Sequence, residues 1–305
     1  VDVVIHNLRP GTMDTLNLGC NALQSINPQL IYMAISGFGT EGPLRRAPAY
    51  DPIIQAHSGM AATQGSDESP AFIRSLLCDK ITAYTASQAV TSALFARERN
   101  GEGQLIDLSM LDAGLFFMFP DGFQNHALLD EDAIPGGLLI DILYDLTLTK
   151  DGGITVAAAN QEMQGRMLNA IGLLHLLQDE RFNTMKKLME NLYAFRELVA
   201  EKCLQYTSDE LLHLLREVEV PCAKCLSRDE VLAQEQLSAN DSIAEVDHPH
   251  LGKMRIVKAP PRFGGKRLAP SRPAPAHGEH TEDVLSSFGL DSGRIERLRA
   301  EGLLG

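Results

Sequence analysis

Asp79 follows Leu76-Leu77-Cys78 and opens a stretch in which Ala83, Ala86, Ala89, Val90, Ala93, Leu94 and Ala96 recur at helical spacing. That pattern predicts a helix from Asp79 to Arg99, with one small-residue face able to approach another element closely. An aspartate at a helix start has two compatible uses. As an N-cap it accepts backbone N–H bonds, the commoner role. The positive end of the helix dipole also favours an ionised carboxylate, which is the form a nucleophile needs.

Other chemistry-bearing residues are weaker candidates. Gly37, Gly39 and Gly42 follow an apolar run, but Pro43 stands where a helix would have to begin, so a dinucleotide-binding loop is not expected. Cys222 and Cys225 have C-x-x-C spacing without a second Cys or His pair, which reads as two ordinary core thiols. His277 and His280 lie among Pro and Gly with no carboxylate set at ligand spacing, so turn or docking roles are expected and no metal site is. Arg9, Arg45 and Arg46 sit in loops after apolar runs, where an anionic ligand reaches an α/β sheet, although solvated arginines are the plainer reading.

These residues need elements to position them. Val1 to Ile5 reads as a buried parallel strand ended by Asn7-Leu8-Arg9-Pro10-Gly11, and Leu30 to Ile35 as a second strand ended by Ser36-Gly37-Phe38-Gly39. A helical stretch lies between them, giving a βαβ unit of an open α/β sheet. Asn100-Gly101-Glu102-Gly103-Gln104 stops the long helix, and Leu105 to Met110 forms a further strand. After Tyr144 the character changes to a strand pair around Asp151-Gly152-Gly153 and charged helices from Glu162 through Arg216, a second, smaller domain. His248 to Pro275 has linker composition, and Thr281 to Leu304 is amphipathic through Val284, Leu285, Phe288, Ile295 and Leu298.

The 305 residues, 44% of them hydrophobic, suffice for a substantial core. A net charge of −13 argues against a nucleic-acid or anionic-membrane surface but leaves room for a small anion held by local cations. Five scattered cysteines fit a reducing, cytoplasmic setting. No leader pattern and no apolar run of spanning length is found, so neither secretion nor membrane insertion is expected.

The order of short motifs carries more. Asn7-Leu8-Arg9-Pro10-Gly11, Asn27-Pro28-Gln29-Leu30-Ile31-Tyr32, Ser36-Gly37-Phe38-Gly39-Thr40-Glu41-Gly42-Pro43, Ala49-Tyr50-Asp51 and Gln55-Ala56-His57-Ser58-Gly59 resemble consecutive motifs of the class III coenzyme A-transferases, the CaiB/BaiF family. Asp79 with Ala93-Leu94-Phe95-Ala96-Arg97, then Asn100 to Met110, Pro260-Pro261-Arg262-Phe263, and Ala274 to Thr281 continue the resemblance, which is nearest to the formyl-CoA transferase-like enzymes.

The resemblance implies a doubly wound α/β large domain over residues 1–115, a linker and glycine loop over 116–140, and a smaller α+β domain over 141–235. Residues 236–305 would then return to the large domain. It implies an interlocked homodimer, acyl-CoA and a carboxylic acid as partners, and no tightly bound cofactor. Coenzyme A would be substrate and product. Asp79 matches the catalytic aspartate, which forms an aspartyl-acyl anhydride and then an aspartyl-CoA thioester. Asn7, Leu8, Arg9, Leu16 and Met110 match positions lining the coenzyme A site, Leu8 replacing an aromatic, and Tyr50 lies near the acyl group. Gly136 and Gly137 match the loop that shields the anhydride from water.

The family normally begins with earlier strands that contribute to the pocket, so part of that pocket is expected to lie outside this chain. A racemase branch shares the fold but carries His directly before Asp where this sequence has Tyr50-Asp51, which disfavours α-proton transfer. A noncatalytic binding protein is the remaining alternative.

Overall fold

The structure is a computed structural model that describes residues 1–123, 125–130, 146–158, 160–268 and 272–304. Its first compact unit spans Val1–Lys224 and its second Cys225–Gly305.

Strand β1 (Val3–His6) pairs in parallel with β2 (Ile31–Ser36), which pairs in parallel with β3 (Leu105–Ser109). The register sets Ile5 beside Met33 and Ser36 beside Ser109. Because β2 is central, its run Ile31-Tyr32-Met33 is buried, as expected of a parallel strand covered on both faces. β1 is the outer strand of this three-stranded sheet and Ile5 is exposed, while the reading of β1 as buried goes with earlier strands expected outside this chain. An apolar β-branched run fits an edge as readily as a centre, so composition does not separate the two.

Two short helices, α1 (Thr12–Thr15) and α2 (Cys20–Ile26), connect β1 to β2. Helices α3 (Asp51–His57), α4 (Met60–Gln64) and α5 (Leu77–Asn100) precede β3, and α6 (Met110–Gly122) follows it. Helix α5 ends at Gly101, whose left-handed φ of 76° only glycine adopts cheaply. Ile54, Met60, Cys78, Ile81, Ala113 and Met118 form the core joining α3 to α6.

A second core in the same unit is built on the antiparallel strands β4 (Thr147–Leu148), β5 (Gly153–Val156) and β6 (Cys222–Lys224). Helices Gln161–Ala170, Leu192–Cys203 and Ser208–Glu217 supply Leu168, Phe195, Leu211 and Leu215 to it. A reciprocal Thr207–Glu210 capping box starts the last of these helices. The strand pair and helices read from the sequence are present here.

In the second unit, three readings are corrected. The region with linker composition contains an antiparallel pair, β7 (Ile243–His248) with β8 (Gly252–Val257), and a short hairpin of Arg262–Phe263 with Lys266–Arg267. Alternation decides this: Val246 faces Met254 and Ala244 faces Ile256, while Glu245 opposes Arg255 and Asp247 opposes Lys253. The Pro, Lys and Arg count conceals that period. His248 closes the turn, its Nδ1 accepting the N–H groups of His250 and Leu251 at 3.1 and 3.2 Å. The C-terminal amphipathic stretch is two helices, Thr281–Ser287 and Ser292–Ala300, and although Ile295 is buried, Phe288 is exposed. Cys225 is likewise exposed rather than a core thiol.

No described helix is long and apolar enough to cross a membrane. Met33 is fully buried in the strand that carries both sheet pairings. Met33→Ala is therefore expected to destabilise the protein by about 2–5 kcal/mol in urea unfolding, through lost burial and the cavity left behind.

Candidate active site

Parallel pairing brings the carboxyl ends of β1, β2 and β3 to one edge of the sheet, the edge where open α/β sheets take their ligands. A cleft of about 410 Å³ lies there. Asn7, Leu8 and Arg9 enter it from the end of β1, Ser36 and Gly37 from β2, and Met110 from the end of β3. A strap through Arg45, Ala47, Pro48, Ala49 and Tyr50 forms another wall, and Asp79 completes it.

Close approach holds the strap against the sheet. A Cβ built on Gly37 would stand 2.2 Å from the Cβ of Ala49, so only glycine permits this contact. The strap then runs into α3, for which Tyr50 is the N-cap residue in extended conformation and Pro52 an early helical position. Tyr50 remains 76% exposed.

Helix α5 begins two residues before Asp79, at Leu77, and its N-cap is Leu76, which gives no side-chain bond. Asp79 is therefore not the N-cap that its position suggests. It stands in the first turn, its side chain exposed and, among the described residues, unbonded. The acceptor for the helix start comes from α3: the Asp79 N–H donates to Asp51 Oδ2 at 3.0 Å. The other Asp51 oxygen, Oδ1, accepts from Gln55 Nε2 at 2.6 Å, one helical turn along. Gln55 Nε2 also faces the carbonyls of Ile73 and Ser75 at 3.1 and 3.2 Å, and Gln55 Oε1 accepts the Ile73 N–H at 3.0 Å. Asp51 and Gln55, 3% and 2% exposed, thus tie the segment leading into α5 to the helix that carries Tyr50.

Burial, with the nearby Asp51 charge second, raises the Asp79 carboxyl above the ordinary 3.8. The adjacent Cys78 is the alternative nucleophile in sequence. Its thiol is fully buried and pushed up to about 11, by burial first and then by Asp51 and Asp79, so it stays protonated at neutral pH. Of the two adjacent side chains, Asp79 is the one that lines the cleft.

The structure gathers Asn7, Leu8, Arg9, Tyr50, Asp79 and Met110 around one cleft. Leu16, the C-cap of α1, is exposed and does not line it. Gly136 and Gly137 lie outside the described residues. His57 packs edge-on against Phe38 at 5.1 Å and is not among the cleft residues. Sequence reasoning missed the roles of Asp51 and Gln55. Their i, i+4 spacing behind Pro52 was the available signal, since it places both on one face of a helix start. No group of three or more potential metal ligands occurs among the described residues.

Comparison with known proteins places this geometry. The profile of CoA-transferase family III matches residues 1–281. The chain is 30% identical to succinyl-CoA–D-citramalate CoA-transferase of Chloroflexus aurantiacus, over 100% of this chain and 77% of that protein. It is 25% identical to succinyl-CoA:glutarate CoA-transferase of Mus musculus, over 99% of this chain and 70% of that protein. The crystal structure of a CaiB/BaiF family protein from Brucella suis superposes with a TM-score of 0.78 at 29% identity, covering 94% of this chain and 75% of the other.

Two measurements test the positioning pair. Gln55→Leu leaves the Ile73 N–H and Asp51 Oδ1 without their partner, and is expected to cost about 1–3 kcal/mol and to speed amide exchange at residues 73–79. Carbon NMR of the Asp79 carboxyl is expected to show a midpoint above 3.8, and Asp51→Asn should lower it part of the way by removing the like charge.

Proposed function

The chain belongs to CoA-transferase family III, and we propose that it moves coenzyme A between an acyl-CoA thioester and a carboxylic acid through covalent intermediates on Asp79. The observation that carries this reading is a single exposed, unbonded carboxylate at the start of α5, facing a cleft fed by three parallel strand ends.

The chemistry balances on that carboxylate. An Asp79 oxygen attacks the thioester carbonyl and expels the coenzyme A thiolate, leaving an aspartyl-acyl anhydride. The thiolate then attacks the aspartyl carbonyl and releases the first acid, giving an aspartyl-CoA thioester. The incoming carboxylate attacks that thioester, re-forming an anhydride and the thiolate. Attack of the thiolate on the new acyl carbonyl yields the product and regenerates Asp79. Each step exchanges one activated acyl bond for another, so no external energy source is needed.

This chain's residues have distinct parts in that sequence. The α5 N-terminus favours negative charge at Asp79, while partial burial and Asp51 oppose it and raise its pKa, so the carboxylate is less stabilised than one in water. Asn7, Leu8, Arg9 and Met110 would hold coenzyme A, and Tyr50 would face the acyl group. Gly136 and Gly137 would shield the anhydride. Relatives named for D-citramalate and glutarate support a dicarboxylic acid as one substrate.

The wider organisation follows the same reading: a doubly wound large domain, an inserted small domain and an interlocked homodimer in the cytoplasm. Support for the dimer comes from α6, an apolar helix that leaves Phe116 86% exposed beside exposed Phe117 and Phe119.

Asp79→Asn is expected to lower turnover by about 10³-fold or more while coenzyme A still binds. Its stability has a definite sign. The folded pKa is raised, so ionised Asp79 opposes folding above that pKa, and the opposition fades as pH falls towards the unfolded value. Asp79→Asn should therefore be no less stable than wild type at neutral pH. Near-wild-type CoA exchange in Asp79→Asn, or α-deuteration without exchange in heavy water, would overturn the mechanism.

A further inference from the structure

Three arginines follow apolar runs in the sequence, and the structure separates them. Arg9 and Arg45 line the cleft with Asp79, whereas Arg46 does not. Neither Arg9 nor Arg45 has an acidic partner within ion-pair distance among the described residues, in a chain with 13 more acidic than basic side chains. Some cations elsewhere are held by acids, as Arg97 is by Asp2 at 3.2 Å and Arg181 by Asp179 at 2.8 Å, whereas these two face the cleft without such a partner. Two unpaired guanidiniums on different walls of the same cleft therefore create a local positive field that the acidic remainder does not supply.

The two arginines are not equivalent in placement. Arg9 follows β1, beside Asn7 and Leu8. Arg45 begins the strap that reaches Tyr50, and that strap is seated on the sheet through the Gly37–Ala49 contact. A turn in which the Arg45 N–H donates to the Gly42 carbonyl at 3.4 Å, and the Ala47 N–H to the Leu44 carbonyl at 2.8 Å, fixes the backbone from which the side chain projects. The guanidinium thus belongs to an anchored wall of the cleft, with its planar fork of donors uncommitted.

From this we infer that Arg45 is a specificity-determining residue that grips a second anionic group of the substrate, distinct from the carboxyl or thioester that reacts at Asp79. The inference rests on the transferase reading above. Planar guanidinium donors match two anionic chemistries, a carboxylate at the far end of a dicarboxylic acid and a phosphate of coenzyme A. Sharing a strap with Tyr50 favours the carboxylate. In either case a substrate lacking that group forfeits a charge-assisted bidentate contact and binds less tightly. Lysine at this position would keep the charge but not the fork.

Steady-state kinetics of wild type, Arg45→Ala and Arg45→Lys test this, with succinate against butyrate as acceptors and succinyl-CoA against its 3′-dephospho analogue as donors. If Arg45 holds the distal carboxylate, Arg45→Ala raises KM for succinate about 10-fold to 100-fold, leaves butyrate unchanged, and Arg45→Lys recovers part of the loss. If it holds the 3′-phosphate, KM rises for the intact donor, is unchanged for the dephospho analogue, and both acids behave alike. Either pattern supports the second anionic contact and identifies it. Unchanged KM throughout, or a fall in kcat alone, overturns it. Calorimetric binding of succinate, butyrate, coenzyme A and dephospho-coenzyme A to the same variants reads the contact without turnover. Absence of exchange in wild type would count against the transferase reading, and unchanged affinities in Arg45→Ala against the Arg45 contact.

Discussion

A buried aspartate that accepts one first-turn N–H of a neighbouring helix organises the cleft. Helix α5 has no capping side chain of its own, because Leu76 occupies the N-cap. Asp51, on α3, takes the Asp79 N–H instead. A buried carboxylate is costly unless its oxygens are satisfied, and here one oxygen is held by the helix start and the other by Gln55. The same glutamine binds the backbone at Ile73 and Ser75, so the approach to α5 is fixed at three points. This frees the Asp79 side chain. Had Asp79 capped its own helix, its oxygens would be engaged by backbone donors rather than open to the cleft.

Division of labour between two aspartates also explains the neighbouring cysteine. Within one helical turn, Cys78 points into the core formed with Ile54 and Met60, whereas Asp79 faces the cleft. One residue thus separates the group in the core from the group at the cleft. The Asp51 bond ties α5 to α3 at Asp79 itself.

The sequence is legible wherever one local signal decides. Asp79 at the start of a small-residue helix, the strands at β2 and β3, and the family motifs can be read directly, because periodicity and short words encode them. Long-range choices are less visible. That Asp51 caps a helix 28 residues away is a tertiary fact, and Asp79 accordingly reads as its own cap. The neighbours of β1 are a long-range matter too, since a β-branched run does not say which strands lie beside it. In the second unit, charged residues that alternate across β7 and β8 read as a linker, since their pairing shows only once the register is known. The sequence offers Arg9, Arg45 and Arg46 alike, and only the packing of the strap on Gly37 separates Arg45, which lines the cleft, from Arg46, which does not.

That packing has a consequence for how such a cleft tolerates variation. Its floor is made by strand ends whose positions are fixed by backbone pairing, so Asn7, Ser36 and Met110 keep their places largely whatever their side chains are. Its wall, from Arg45 to Tyr50, carries no sheet or helix pairing and is held chiefly through one glycine contact and the start of α3. The wall and the Asp51–Asp79 bond are held by different contacts, so a change in one leaves the anchor of the other in place. The strap is therefore the part of the cleft most open to substitution, while Asp51 and Gln55 are bound to backbone groups that a change would leave unpaired.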